Sequence, residues 1–415
     1  MNNRQKKEFE HPEWSKNANI YEVNLRQYTP EGTFSAFKKH LPRLKEMGVD
    51  ILWLMPIHPV GIKNCKGKLG SPYAVRDYFA VNSNYGTLDE FKDLVAEIHK
   101  QDMKVIIDWV ANHTAWDHKW VEEHPEWYKK DEKGNIHSYV YDNGEELEHW
   151  TDVIGLDYSE PKLREKMIEA LKYWVRETNI DGYRCDVAGL VPTEFWERAR
   201  KKLDELKDVF MLAEWEEPEL HEEAFDMTYD WEFHDLMIEI AEETKDTLDL
   251  KDYVEEDDEF PEDAYRMAFT TNHDKNTWEA SDEEFFGEGF LAFSVLAATL
   301  QGMPLIYGGQ ESGLDKRVDF FYKDQIEWDD YQYAEFYQRL LKLKKNNPAL
   351  WNGQYGAQAE VLPETDENIF AFKREKENNQ VRVIINFSNE EQLIKNSSNF
   401  AVEKLLPWDY KIKIN

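Results

Sequence analysis

The sequence predicts an α/β chain built as a (β/α)8 TIM barrel, with a subdomain inserted after strand 3 and a C-terminal antiparallel β-domain. Three observations predict it. Strand-like runs alternate with helix-like runs along most of the 415 residues, one connection is far longer than its neighbours, and the pattern changes to short alternating β-runs after Asn347-Pro348. A chain of this length exceeds one small core, and a barrel of roughly 250 residues leaves room for smaller units beside it.

Eight runs read as strands: 20–27, 50–55, 104–109, 182–187, 210–214, 225–229, 266–270 and 305–308. A closed barrel needs that number. Between them, 33–47, 88–100, 161–178, 193–206, 285–301 and 331–345 carry apolar residues at helical spacing. Thr33, Ser159-Glu160-Pro161 and Pro192-Thr193 mark helix starts.

The connection after the third strand breaks this rhythm. About fifty residues separate Trp109 from Pro161, where ordinary βα loops have about 2–6. Trp116, Trp120, Trp127, Tyr128, Tyr139, Tyr141 and Trp150 make the insertion too apolar for a linker, so it reads as a subdomain over the barrel mouth. The stretch 242–262 is acidic and turn-rich and reads as a solvated excursion. The expected division is a barrel over 1–113 and 159–347, an inserted subdomain over 114–158, and a β-sandwich domain over 348–415, with strands at 369–374, 381–387, 404–406 and 410–414.

Charge narrows the partners. The net charge of −34, from 84 acidic against 50 basic residues, repels phosphates and so opposes nucleic acid and anionic membranes. A neutral polymer is indifferent to it. The 15 Trp, 21 Tyr and 22 Phe exceed ordinary core needs, and the surplus suits a sugar-binding cleft. Only Cys65 and Cys185 are present, too few for a disulfide framework. Cys185 precedes Asp186 on one strand and should face the other way, into the apolar shell. The first ten residues lack an apolar leader core, and no 18-residue apolar run occurs. The expected location is cytoplasmic as the sequence stands, or periplasmic or secreted if a leader was removed; oligomeric state is not legible.

The chemistry is carried by Asp186, Glu214 and Asp274. Each stands at the polar end of an apolar run, in G-Y-R-C-D-V (182–187), V-F-M-L-A-E-W (209–215) and M-A-F-T-T-N-H-D (267–274). Carboxylates where buried strands meet solvent are costly unless used. Hydrolysing an acetal needs one group to protonate the departing oxygen and another to attack carbon or activate water. Arg184 shares a strand face with Asp186 and should hold it ionised, as a nucleophile requires. Apolar neighbours should raise Glu214 so that it carries a proton. Asp274, after Asn272-His273, is placed to oppose positive charge growing on a sugar ring.

The runs D-W-V-A-N-H (108–113), G-Y-R-C-D (182–186), Glu214 and F-T-T-N-H-D (269–274) resemble, in order and spacing, the four signature regions of the α-amylase family, glycoside hydrolase family 13. S-P-Y-A-V-R-D-Y (71–78) and G-V-D-I-L-W-L-M-P-I (48–57) are similar to its second-strand region and following loop. The resemblance covers about residues 18–345. It implies a retaining mechanism with Asp186 as nucleophile, Glu214 as acid/base and Asp274 as transition-state stabiliser. It also implies that His113, Arg184 and His273 hydrogen-bond the sugar, that Tyr73 stacks on its ring, and that Asp108 orients the site. No cofactor is required for that chemistry. Asn112 matches a position that binds structural calcium in many members, and Asp152 is the candidate partner carboxylate. Two departures stand out: Val187-Ala188-Gly189-Leu190 where many amylases carry Lys-His, and no arginine after the last signature region, where Trp278 stands instead.

The expectation is a hydrolase of α-1,4-glucosidic bonds in starch, glycogen or maltooligosaccharides, of the α-amylase type. An α-glucosidase, a cyclomaltodextrinase or maltogenic amylase, and a transglycosylase share the same chemistry and stay open. A non-catalytic glucan-binding barrel and an inverting hydrolase are the alternatives from other classes.

Overall fold

The structure is a computed structural model that describes residues 10–144, 146–256, 260–328, 330–394, 399–400 and 403–415. The leader reading rests mainly on residues 1–9, which lie outside the described residues, as do 257–259 of the acidic stretch. Eight parallel strands close into a barrel: β1 (Ile20–Val23), β2 (Ile51–Leu54), β3 (Lys104–Val110), β4 (Gly182–Asp186), β5 (Phe210–Ala213), β6 (Met227–Tyr229), β7 (Tyr265–Ala268) and β8 (Met303–Tyr307). Each pairs with its neighbours in sequence, and β1 pairs with both β2 and β8.

Side-chain alternation builds two cores from these strands. Ile20, Trp53, Ile106, Phe210, Leu212 and Met267 fill the barrel interior, while Tyr21, Leu52, Ile107, Tyr183 and Met211 join the shell that packs on the helices. Cys185 is fully buried in that outer shell, as alternation requires. Gly182 opens β4 because a Cβ there would stand 1.9 Å from the Phe210 carbonyl oxygen on the adjacent strand.

The helices largely follow the apolar periodicity. Leu88–Lys100 starts with a capping box between Thr87 and Glu90, and Thr33 caps Phe34–Phe37 by accepting from the Ala36 N–H at 3.2 Å. Two expected helices are interrupted. The run 33–47 divides into Phe34–Phe37, a 3-10 turn and Leu41–Met47, with Pro42 opening the last piece. The run 285–301 divides at Gly287 and Gly289 into Asp282–Phe286 and Phe290–Thr299. Trp231–Ala241 is an additional helix, with Phe233, Leu236, Met237 and Ile240 buried. The acidic stretch is not wholly an excursion either: Thr247–Glu255 is a helix whose capping box joins Asp246 to Asp249.

The insertion carries a three-stranded antiparallel sheet of His113–Ala115, Leu147–Gly155 and Ser138–Asp142, with the long strand in the middle. At the C-terminal end, Ala359–Val361, Ile369–Lys376, Asn379–Asn386 and Tyr410–Ile414 form a four-stranded antiparallel sheet, accompanied by a two-stranded one. Phe370, Phe372, Val383 and Ile385 turn one face to the main core; Ile369, Ala371 and Ile384 turn the other to Phe400 and Leu405. Among the described residues, no helix is long and apolar enough to cross a membrane.

Candidate active site

The strand ends deliver the acids to one place. Asp186 is the last residue of β4, Glu214 follows β5 directly, and Asp274 stands beyond β7 at the start of a π-helical turn over Lys275–Glu279. All three line a cleft of about 550 Å³ at the C-terminal mouth of the barrel, together with Tyr73, His113 and His273.

Arg184 lies beneath them, fully buried, and joins them. Its Nη1 is 3.1 Å from Asp108 Oδ1 and 2.9 Å from Asp186 Oδ1, while Nη2 is 2.8 Å from Glu214 Oε1. The two acids assigned to nucleophile and proton donor therefore sit on the two terminal nitrogens of one guanidinium. Trp53 and Tyr73 brace Asp108 from the other side, donating to Oδ2 at 3.1 Å and 3.0 Å.

This sharing reverses one expectation. Burial first, and then the neighbouring Glu214, push the Asp186 carboxyl well up, and Arg184 does not offset them. Arg184 alone does not hold Asp186 low, because its one charge is divided among three carboxylates. Burial also raises Glu214, with Arg184 opposing, so its direction is the expected one. The pair titrates as a set, in which one proton stays on the two acids more readily than either residue would keep it alone.

His273 organises the opposite wall. Nδ1 is 2.5 Å from Glu22 Oε1, and Nε2 is 2.7 Å from the Tyr73 hydroxyl and 3.2 Å from Asp274 Oδ2. Burial works against its charge, yet Asp274 and Glu22 outweigh it and raise the imidazole to about 9. A charged His273 donates from both nitrogens, and the Tyr73 hydroxyl passes the polarisation to Asp108. The rings of Tyr73 and His273 stack at 5.5 Å, which fixes the aromatic face. His113 is neutral: burial lowers it to about 3, and its ring bonds the Tyr73 backbone.

Val187, directly after Asp186, adopts φ +37 and ψ 51, a left-handed conformation unfavourable for a β-branched residue. Its N–H donates to Glu214 Oε2 at 2.6 Å. Two residues on, a Cβ at Gly189 would stand 2.2 Å from the Trp215 ring. The Val187-Ala188-Gly189-Leu190 run thus places the Trp215 indole against bare backbone.

Asn112 and Asp152, the expected calcium ligands, are each engaged by side chains of this protein. Asp152 Oδ1 is 2.9 Å from the Lys66 ammonium, so a cation already stands against the carboxylate. The Asn112 amide is engaged by His113 Nδ1 at 3.2 Å and by the Tyr139 hydroxyl. A hard cation needs about 6–8 oxygen ligands. Among the described residues, no group of three or more His, Cys, Asp or Glu is arranged to hold a metal.

Several residues of the site escaped the sequence reading. Glu22 lies fully buried behind His273 in mid-strand on β1, outside the cleft lining, and a lone acid within I-Y-E-V was a visible signal. Lys66, Phe320 and Phe321 line the cleft, and no pattern in their loops marked them.

Comparison with known proteins agrees with this geometry. Residues 9–356 match the model of the α-amylase catalytic domain. Alpha-amylase 2 of Dictyoglomus thermophilum is 26% identical over 429 residues, covering 93% of this chain and 72% of that protein. The solved maltogenic α-amylase AmyB of Thermotoga neapolitana is 33% identical with a TM-score of 0.81, covering 91% of this chain and 88% of its own. An α-amylase from Lactobacillus plantarum is 31% identical with a TM-score of 0.80, over 92% and 91%. With the matched region spanning the barrel and every strand end that lines its mouth, the chain belongs to the α-amylase family, glycoside hydrolase family 13.

Proposed function

We propose that this glycoside hydrolase cleaves α-1,4-glucosidic bonds of starch, glycogen or their maltooligosaccharides with retention of configuration. Glu214 protonates the glycosidic oxygen while Asp186 attacks the anomeric carbon, giving a β-linked glycosyl ester and the free leaving sugar. Glu214, now ionised, takes a proton from water as that water attacks the ester, and the α-anomer leaves. One observation carries the reading: Asp186 and Glu214 share the two terminal nitrogens of Arg184 at the floor of a single cleft.

The surroundings support these roles. Protonating the leaving oxygen takes the proton from Glu214 and leaves a carboxylate, whose negative charge Arg184 and the Val187 N–H then stabilise. Asp274, one-third exposed, opposes the oxocarbenium charge, and the charged His273 beside it holds its orientation. Tyr73 offers its ring to the apolar face of the sugar, and His113 and His273 line the same cleft beside its hydroxyls, whereas Arg184, expected to bond the sugar, is fully buried beneath the acids and acts through them. A neutral glucan is also a substrate that a strongly acidic surface does not repel. Proton NMR of freshly cleaved maltooligosaccharide tests the assignment: the first product carries the α-anomeric signal, and a β-signal overturns the double displacement.

A further inference from the structure

The loop after β2 does more than present Tyr73. Its segment 61–72 is fastened to the inserted sheet on one side. Lys66 Nζ is 2.9 Å from Asp152, the Ile62 N–H donates to Asp117 at 3.1 Å, and Lys63 lies 5.2 Å over the Trp116 ring. It is fastened to the loop after β8 on the other. The Leu69 N–H donates to the Phe321 carbonyl at 2.9 Å, and Arg26 Nη1 donates to both Gly70 O at 2.8 Å and Phe320 O at 3.0 Å. Gly67 makes the approach feasible, since it has φ +59 and a Cβ there would stand 2.5 Å from Phe321 Cβ. The segment thus spans between two walls of the cleft.

The side of the cleft it spans follows from the strand order. In a closed ring of eight running in sequence, β5 stands across from β1 and β4 across from β8. Glu214 leaves β5; Arg26 follows β1, and Phe320 and Phe321 follow β8. The tie therefore crosses the mouth opposite the proton donor. A proton donor marks the leaving-group side of the scissile bond, so the tie lies on the side of the sugar that is retained. Lys66, Asp152, Phe320 and Phe321 line the same cleft as the acids, so the tie borders the space that the sugar enters.

We infer that the 61–72 segment, locked by Lys66–Asp152 and Leu69–Phe321, closes the non-reducing end of the cleft, so that the enzyme trims short saccharides from chain ends. This rests on the α-glucan hydrolase reading. A chain can enter only end-first; its non-reducing terminus meets the tie, and the bond within reach of Glu214 is set by the distance to that stop. Internal bonds of a long chain do not reach the acids until the residues ahead of them have been removed.

Maltoheptaose labelled at its reducing end is the probe, used uncapped and with a bulky 4,6-acetal on its non-reducing glucose. The native enzyme releases one size of short unlabelled product from the first turnovers, and the cap slows cleavage at least tenfold. The variant Lys66→Glu repels Asp152 and opens the tie, so capped substrate is cut at least tenfold faster and labelled products of several lengths appear. The exchange Lys66→Glu with Asp152→Lys restores the native pattern. Random internal cuts or indifference to the cap in the native enzyme overturn the inference while leaving the hydrolase reading intact. An unchanged pattern in Lys66→Glu, or an exchange that does not restore it, overturns the role of the ion pair. Absence of cleavage on every maltooligosaccharide overturns both readings.

Discussion

The two ends of the barrel hold buried acids in opposite ways. At the entry to β4, Asp181 accepts from His99 Nε2 at 2.7 Å, Lys207 Nζ at 2.8 Å and the Val105 N–H at 2.9 Å. Burial pushes its carboxyl up, but His99 and Lys207 outweigh that and leave it below its ordinary value. Asp226, also fully buried, is met by His11 at 2.7 Å and Arg200 at 2.7 Å. At the other end, Asp108, Asp186 and Glu214 divide one guanidinium, and all three are raised. Acids supplied with more donors than they need serve the fold, whereas acids supplied with fewer keep a proton in play. Between the Asp181 cluster and the Arg184 cluster, the supply of donors and not burial separates the lowered carboxylate from the raised ones.

Exchanging one acid at each end breaks the comparison most directly. Asp186→Asn removes the attacking oxygen while preserving shape, and turnover on maltooligosaccharides falls on the order of 10⁴-fold with substrate affinity kept. A thermal melt should shift little or rise, because the change relieves crowding among acids that share one cation. A variant retaining more than a tenth of native turnover would remove Asp186 from the reaction. The same exchange at the other end behaves inversely. Asp181→Asn leaves kcat within about twofold, since it touches nothing in the cleft, and destabilises by about 3 kcal/mol because His99 and Lys207 lose a buried counter-charge. Denaturant unfolding of both variants side by side checks this. Equal stability loss at the two ends would sink the distinction.

The sequence exposed the acids more readily than their condition. Asp186, Glu214 and Asp274, with Arg184, His113, His273 and Tyr73, were visible from strand periodicity and the neighbouring motifs, and the structure brings all of them except the buried Arg184 to the lining of one cleft. The Asp186 proton affinity was not visible. It depends on Asp108 and Glu214 drawing on the same Arg184, and that sharing arises only when three strands close side by side. The eight strands were legible from alternation, and Trp231–Ala241 carried a helical signal in Phe233, Leu236, Met237 and Ile240 that the acidic residues around it obscured. Lys66 had no signal at all. A lysine in a polar loop acquires its role from Asp152, which is distant in sequence and meets it across a cleft.

The smallest expected effect concerns His273, the cation beside Asp274 at the upper end. Its folded value of about 9 lies above the ordinary 6.5, so the charged form is bound more favourably by the folded chain, by Asp274 and Glu22. Such a group contributes stability that is fully present below about pH 6.5 and is lost as pH rises through about 9. The native melting temperature should therefore decline over that window by a few degrees more than that of His273→Gln, which has no proton to lose. The variant melts lower throughout, because Glu22 keeps its burial without its cation, but its curve is flatter. Parallel curves from pH 6.5 to 9 would mean that the imidazole is neutral, and Asp274 would then face the sugar without a charged neighbour to orient it. The lower end offers the internal control: Asp181, held below its ordinary value, contributes stability that is present above that value and lost only on acidification, so Asp181→Asn should alter the acid limb and leave the alkaline one unchanged.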